Sequence, residues 1–278
     1  MDSAKHLIDI ALKEDIGSGD ITTDNLVPPQ VEGNGVILAK EPLVIAGLDI
    51  SRQVFERLDP QIRFRPRYTD GDRIKAGAVV LEVGGKLRAL LTGERTALNF
   101  LQHLSGIATY VRSYVERLGN KKVRLVDTRK TTPGWRVLEK YAVRVGGAYN
   151  HRMGLYDGVL IKDNHIVACG GIRNAVTRVR DIVSHLVKIE VEVSDLPGVE
   201  EALDAGADVI MLDNMDINQI KEAIAVIDKK VMVEVSGGIT ERNLLHLANV
   251  GVDIISIGAL THSAKCVDLS MRIKSEIR

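Results

Sequence analysis

Apolar and polar positions along the chain fall into two rhythms. The first half opens on an amphipathic helical stretch near residues 7–13, which ends at Gly17-Ser18-Gly19-Asp20. Short apolar runs at 35–40, 62–68 and 79–83 then read as strands punctuated by glycine and proline. A long helical stretch over 87–118 follows, with Gly106 as a candidate break. Beyond it, apolar runs at 123–128, 158–162, 188–193, 208–213, 231–236 and 253–258 predict six buried strands with amphipathic helices between them. They recur every roughly 20–35 residues, the period of βα units in a parallel sheet or barrel. Six units are too few for a complete eight-stranded barrel. The expectation is an incomplete, open α/β barrel of parallel strands, with a doubly wound sheet as the alternative.

Composition supports that class. Hydrophobic residues make up 45% of the 278 and aromatics only 4%. A core of Val, Ile, Leu and Ala suits parallel strands buried under helices. The formal net charge of +0 provides no global field toward nucleic acid or a membrane surface, and scarce aromatics argue against base stacking. Cys169 and Cys266 lie far apart without a partner motif, as ordinary thiols of a reducing compartment do. Charged Asp2, Lys5, Asp9 and Glu14 break up the N-terminal apolar residues, so that stretch is no signal peptide. No apolar run approaches the ~20 residues that span a bilayer. A soluble cytoplasmic protein is expected.

Candidate chemistry gathers where the predicted strands end. Asp127-Thr128-Arg129-Lys130-Thr131-Thr132-Pro133-Gly134, followed by Asn150-His151-Arg152, concentrates cations just past a buried strand. A solvated face would scatter both signs; fixed guanidinium groups together match a small polyanion bidentately. Further along, the ends carry Lys162 and Asp163, Glu192, Asp213, Ser236-Gly237-Gly238 and Gly258. In parallel βα folds this rim binds ligands. Gly237-Gly238 before a helix near Thr240, and Gly258 before another, offer backbone N–H groups and helix N-termini to phosphate. Glu192 and Asp213 suit a general acid/base pair, magnesium contacts or hydroxyl acceptors. Lys162 suits either a Schiff base or a cation meeting phosphate or carboxylate. His103, His151 and His165 lack structural-zinc spacing, and His103 reads as a helix-packing residue. Thr69-Asp70-Gly71-Asp72 through Lys86 has the look of a lipoyl-carrier sheet, but Lys86 lacks the sequence context of a modified lysine.

With these residues in view, the chain resembles the quinolinate phosphoribosyltransferases, the decarboxylating enzymes of NAD synthesis. The matching blocks are Gly93-Glu94-Arg95-Thr96-Ala97-Leu98-Asn99, Asp127 through Gly134, Asn150-His151-Arg152 and Leu160-Ile161-Lys162-Asp163-Asn164-His165. Ile189-Glu190-Val191-Glu192-Val193, Met211-Leu212-Asp213-Asn214 and Glu234-Val235-Ser236-Gly237-Gly238-Ile239 complete the set. The resemblance implies an N-terminal α/β sandwich-like domain over 1–106 and the open barrel over 107–263, with a helix at about 264–278 packing on the first domain. It implies a homodimer, open to higher assembly, in which Arg95 enters the neighbour's site. Arg95, Thr128, Arg129, His151, Arg152 and Lys162 would then meet quinolinate. Lys130, Lys162, Glu192 and Asp213 would be catalytic and meet phosphoribosyl pyrophosphate (PRPP), with Ser236, Gly237, Gly238 and Gly258 on its 5′-phosphate. Magnesium would be held mainly by PRPP near Glu192 and Asp213, without direct protein ligands. Rivals are a paralogous phosphoribosyltransferase associated with molybdenum transport, which shares Thr-Arg-Lys-Thr but lacks the lysine of the Lys162 motif, a Schiff-base lyase using Lys162, and a catalytically dead PRPP sensor.

Overall fold

The structure, a computed structural model, describes residues 2–274. Helices α1 (Asp2–Ile16) and α2 (Thr23–Leu26) open the chain. Ala4, Ile8 and Leu12, one helical turn apart, form the buried stripe of α1. There follow β1 (Glu32–Ala39), β2 (Leu43–Val44), α3 (Leu48–Leu58), β3 (Arg63–Pro66), β4 (Arg73–Ile74) and β5 (Val79–Lys86). Strand β5 lies antiparallel between β1 and β3, while β2 pairs with β4 alone. The carrier-like stretch has a structural task. Asp70 accepts the backbone N–H groups of Gly47 (2.8 Å) and Leu48 (3.2 Å) where α3 begins. Lys86 ends β5 and runs straight into α4 (Leu87–Leu118), so it sits at no hairpin tip.

Gly106 does not break α4, which is continuous for 32 residues. A Cβ at 106 would stand 2.2 Å from the carbonyl oxygen of Lys265. Glycine is there to let another segment lie against the helix, at a cost of about 1 kcal/mol in helix propensity.

The six expected strands form one parallel sheet. They are β6 (Arg124–Val126), β7 (Val159–Ile161), β8 (Ile189–Val193), β9 (Val209–Asp213), β10 (Met232–Ser236) and β11 (Ile254–Ser256), in the order β6-β11-β10-β9-β8-β7. Among the described residues β6 and β7 are its two edges, so the barrel is open. Helices α5 (Arg136–Gly146), α6 (Asp163–Cys169), α7 (Ile172–Arg180), α8 (Leu196–Asp204), α9 (Ile217–Ile227) and α10 (Leu244–Asn249) connect them. Asp195 and Asp216 cap α8 and α9 by accepting first-turn N–H groups at 2.8 Å, each contributing about 1 kcal/mol. At the amino ends of the strands, Asp208 accepts the N–H of Ile189 and Asp253 that of Val233, tying neighbouring strands together.

After β11 come the one-turn α11 (Ala259–His262) and β12 (Leu269–Ile273). The helix expected at 264–278 is therefore corrected within the described residues; 275–278 lie outside them. Leu269, Ser270, Met271, Arg272 and Ile273 alternate in the manner of a strand, and β12 pairs antiparallel with β1 from Gly35↔Ile273 to Ala39↔Leu269. The chain divides into two interleaved compact units. One comprises residues 1–113, 131–147 and 259–278; the other, 114–130 and 148–258, holds the parallel sheet.

Candidate active site

The carboxyl ends of the parallel strands carry the charged groups. Side chains alternate along a strand, so Glu190 and Glu192 of β8 share one face, as do Glu234 and Ser236 of β10. The register sets Met211 beside both Glu192 and Glu234, and Asp213 beside Ser236. Lys162, just past β7, reaches across to an ion pair with Glu192. Its backbone N–H donates to His165 Nδ1 at 2.9 Å, which fixes the turn into α6. Of the two uses this lysine suits, the contact matches that of a cation meeting a carboxylate.

The cationic segments are brought together at β6. Tyr149 donates its N–H to Leu125 O (2.9 Å) and makes a parallel bridge with Val126, laying residues 149–152 beside the strand end. Asp127, fully buried, is the clamp. Its two oxygens accept Asn150 Nδ2 at 2.7 Å and the His151 N–H at 2.8 Å. Thr128 Oγ1 accepts the N–H of Lys130 at 3.0 Å, shaping a turn from which Arg129 and Lys130 project, both exposed. Arg152 is half-buried and donates Nη1–H to Gly158 O at 2.9 Å. Burial, then the neighbouring Arg129, hold its guanidinium below its usual pKa. A half-buried guanidinium held down by a second one beside it suits a receptor for anions.

His151 is less simple than a substrate cation. Its Nε2 stands 3.1 Å from Glu190 Oε2 and 3.7 Å from Glu234 Oε2. Its Nδ1 accepts the N–H of Arg152 at 2.8 Å.

The glycine loop corrects the reason first given for it. Helix α10 starts at Leu244, not near Thr240, and has six residues; α11 has four. Helices that short add little dipole, so backbone amides of the loop carry any anion recognition. Thr240 N–H donates to Asn243 Oδ1 (2.8 Å), and Asn243 Nδ2 donates to Gly238 O (3.1 Å). A Cβ on Gly237, at φ +89°, would stand 2.1 Å from Asn214 Oδ1. Asn214 in turn donates Nδ2–H to Asp213 at 2.7 Å. Gly237 thus makes room for the residue that orients Asp213.

His103 packs as expected: Nε2 lies 2.9 Å from Glu139 Oε1, with its ring edge-on to Trp135. Glu139 also accepts the Thr132 N–H at 3.1 Å, anchoring the Thr-Thr-Pro-Gly turn. Burial pushes this carboxyl up, but the hydrogen bonds from His103 and Thr132 outweigh it and leave it below its usual range. Arg95 is exposed on α4 in the first compact unit, whereas Lys130, His151, Arg152, Lys162, Glu192, Asp213, Ser236 and Gly258 belong to the second. Asp127, Asn150, Glu190 and Glu234 stand inside the motifs that the sequence offered, but sequence reasoning gave them no role of their own. The signal for the glutamates was two carboxylates in strands whose alternate residues are all apolar. A cavity of about 470 Å³ is lined by Lys188, Asp208 and Asp253, among others, at the amino ends of the strands. In parallel α/β folds that end serves stability.

A parallel α/β barrel whose strand ends join paired arginines, a Lys–Glu ion pair and a glycine loop defines a transferase-type site for anionic ligands. Residues 20–105 match the N-terminal and 107–272 the C-terminal domain model of quinolinate phosphoribosyl transferase. The chain belongs to the quinolinate phosphoribosyltransferase family. It is 46% identical over 281 residues to the "Probable nicotinate-nucleotide pyrophosphorylase (carboxylating)" of Methanocaldococcus jannaschii, covering 98% of both chains. It is 41% identical over 276 residues to the nicotinate-nucleotide pyrophosphorylase (carboxylating) of Mycobacterium leprae, with 97% of each covered. The crystal structure of NadC from Streptococcus pyogenes superposes with a TM-score of 0.93 at 44% identity, over 98% of this chain and 95% of that one. Among the described residues no helix is long and apolar enough to cross a membrane.

Proposed function

We propose that this chain transfers the phosphoribosyl group of PRPP to the ring nitrogen of quinolinate with loss of the 2-carboxylate, giving nicotinate mononucleotide, pyrophosphate and CO2. The family's "carboxylating" and "decarboxylating" names describe one reaction from its two ends. The observation that carries the reading is the set of cations around β6 and β7, held by Asp127 and Glu192, at the strand ends of a family-matched barrel.

Arg129 and Arg152, with Thr128 and His151 alongside, receive the two carboxylates, and Arg95 of a second subunit completes the pocket in a homodimer. Lys130 and Lys162 face the pyrophosphate. The loop amides of Ser236 to Gly238 and of Gly258 receive the 5′-phosphate. Pyrophosphate leaves the anomeric carbon through an oxocarbenium-like state, and the pyridine nitrogen supplies the electron pair for the new C–N bond. Glu192 and Asp213 stabilise the positive charge developing on the ribose, and the lysines stabilise the negative charge on the leaving group. The C2–carboxylate bond then breaks, its electron pair staying on C2 beside the now positive nitrogen, and C2 takes up a proton. The carboxylates of Glu192 and Asp213 suit the neighbourhood of a hard cation carried by PRPP; magnesium bound there would supply charge neutralisation of the pyrophosphate.

The test is to incubate the purified chain with quinolinate, PRPP and magnesium, following CO2 and nicotinate mononucleotide. Matched formation of both, absent when either substrate is omitted, is the expected result. Tight binding of both without product would favour the dead sensor, and failure to bind quinolinate would favour the paralogue.

A further inference from the structure

One layer deeper in the sheet than Glu192 and Ser236 lies a cluster whose two carboxylates the mechanism does not use. His151, Glu190 and Glu234 each offer an atom such that all lie within 4.8 Å of one another. Glu190 and Glu234 are buried, at 8% and 1% exposure, each flanked along its strand by apolar residues. Because the Arg152 N–H donates to His151 Nδ1, that nitrogen is an acceptor, and the imidazole proton sits on Nε2, directed at Glu190. Glu190 Oε1 and Glu234 Oε1 are both buried with no hydrogen-bond partner, since neither carboxylate has a donor to offer the other. Two ionised carboxylates this close, both buried, would repel each other with little solvent to screen them. A single proton between them removes one charge and supplies the missing donor.

We infer that Glu234 keeps a proton that it donates to Glu190, so that the carboxylate pair does not bury two negative charges, positions His151 and Arg152, and leaves the arginine pocket net positive for a dicarboxylate. The inference rests on the reading of Arg129 and Arg152 as the quinolinate receptor. Glu190 favours the charged form of Arg152, against its burial and Arg129. A second negative charge in the trio would cancel the remaining guanidinium and with it the attraction for a dianion. The titratable groups facing Glu234 are Glu190 from β8 and His151 from the segment beside β6; β11 adds the Ser256 hydroxyl, and β9 the uncharged Met211. Burial first, then Glu190, push the Glu234 carboxyl up to about 8. Glu234 is thus a positioning and specificity-determining residue, not a catalytic one.

The experiment compares the wild-type full chain with Glu234→Gln and Glu234→Leu, measuring kcat and KM for both substrates from pH 6 to 10. For the wild type, kcat/KM for quinolinate should fall about tenfold per pH unit above the ionisation of Glu234, near pH 8, while KM for PRPP at saturating quinolinate stays level. Glu234→Gln, neutral and still able to donate, should keep the pH 6.5 value within about threefold and lose the break. Glu234→Leu should raise KM for quinolinate about tenfold at pH 6.5 with kcat and KM for PRPP little changed, the cost of one buried hydrogen bond. A binding-independent readout comes from melting. Glu234 is protonated when folded but ionised when unfolded above its ordinary value of 4.5, so its contribution to stability is lost as pH rises through the folded value. The melting temperature of Glu234→Gln should therefore gain on the wild type between pH 5 and 9. The same break in Glu234→Gln, a loss beyond about 100-fold in that variant at pH 6.5, or a melting difference independent of pH would each overturn the inference. So would a stoichiometric divalent cation that the wild type retains and Glu234→Gln loses. If Arg152→Ala leaves KM for quinolinate unchanged, the receptor reading fails; if it raises KM while Glu234→Gln behaves as wild type, the inference alone fails.

Discussion

Asp127→Asn is the perturbation that separates the site's scaffold from its chemistry. Asp127 is fully buried, and its two oxygens accept hydrogen bonds from Asn150 Nδ2 and from the His151 N–H. Both donors face a charged acceptor, and such bonds contribute about 1.5–3 kcal/mol each. Asparagine keeps the shape and one accepting oxygen. Its amide nitrogen, however, must point at one of the two donors, which loses that bond and sets N–H against N–H. The expected destabilisation is about 2–4 kcal/mol. With a urea m-value of about 3 kcal/mol/M for a chain of this size, the unfolding midpoint should drop by about 1 M. Because the misplaced segment is residues 149–152, KM for quinolinate should rise well before KM for PRPP does. Urea titration by circular dichroism, with initial rates at varied concentration of each substrate, reads both. An unchanged midpoint with both KM values within about twofold of the wild type would refute the clamp.

The two glycines of one loop should respond differently. Gly237→Ala drives a Cβ to 2.1 Å from Asn214 Oδ1 and should raise KM for PRPP by displacing the partner of Asp213, whereas Gly238→Ala meets open space and costs only its left-handed backbone, about 1–2 kcal/mol; equal effects on KM would contradict the assigned roles. Nicotinate, with one carboxylate, leaves an arginine unpaired at roughly 2–5 kcal/mol, so quinolinate should be preferred at least about 30-fold, and Arg129→Ala should lose quinolinate use while melting as the wild type does. Comparable turnover of both acids would dismiss that pocket. If Arg95 acts in trans, exchanging subunits between Arg95→Ala and Lys162→Ala dimers should restore about a quarter of the wild-type sites by random pairing; activity that stays at zero after exchange, checked by native mass spectrometry, would exclude it.

The six parallel strands were legible because covering both faces of a sheet leaves continuous apolar runs such as Val159-Leu160-Ile161. The cations past β6 and the ion-pairing Lys162 were legible for the same reason: polar groups abruptly follow buried ones. Residues 269–273 were not. Leu269 and Ile273 are spaced for a helical stripe as well as for a strand, and five residues are too few to choose between them; pairing with β1 decides. Glu190 and Glu234 were hidden because an acid in a strand normally marks the solvent face, and only tertiary placement reveals that this sheet has none there. Gly237 was visible as a glycine but not for its purpose, since the Asn214 side chain that needs the space belongs to another strand's loop.

The pairing of β12 with β1 has a consequence for how the protein is made. Ala39 bonds across to Leu269, so one edge of β1 waits for a partner that a ribosome adds at ~5–20 residues per second, a delay of roughly 10–50 s. Throughout that interval the nascent chain displays an unsatisfied row of amides and carbonyls, the template on which strands of neighbouring chains add. The yield of soluble protein should therefore depend on translation speed and on chaperone occupancy of the emerging N-terminal unit. Shortening the chain before Leu269 would make that transient hazard permanent.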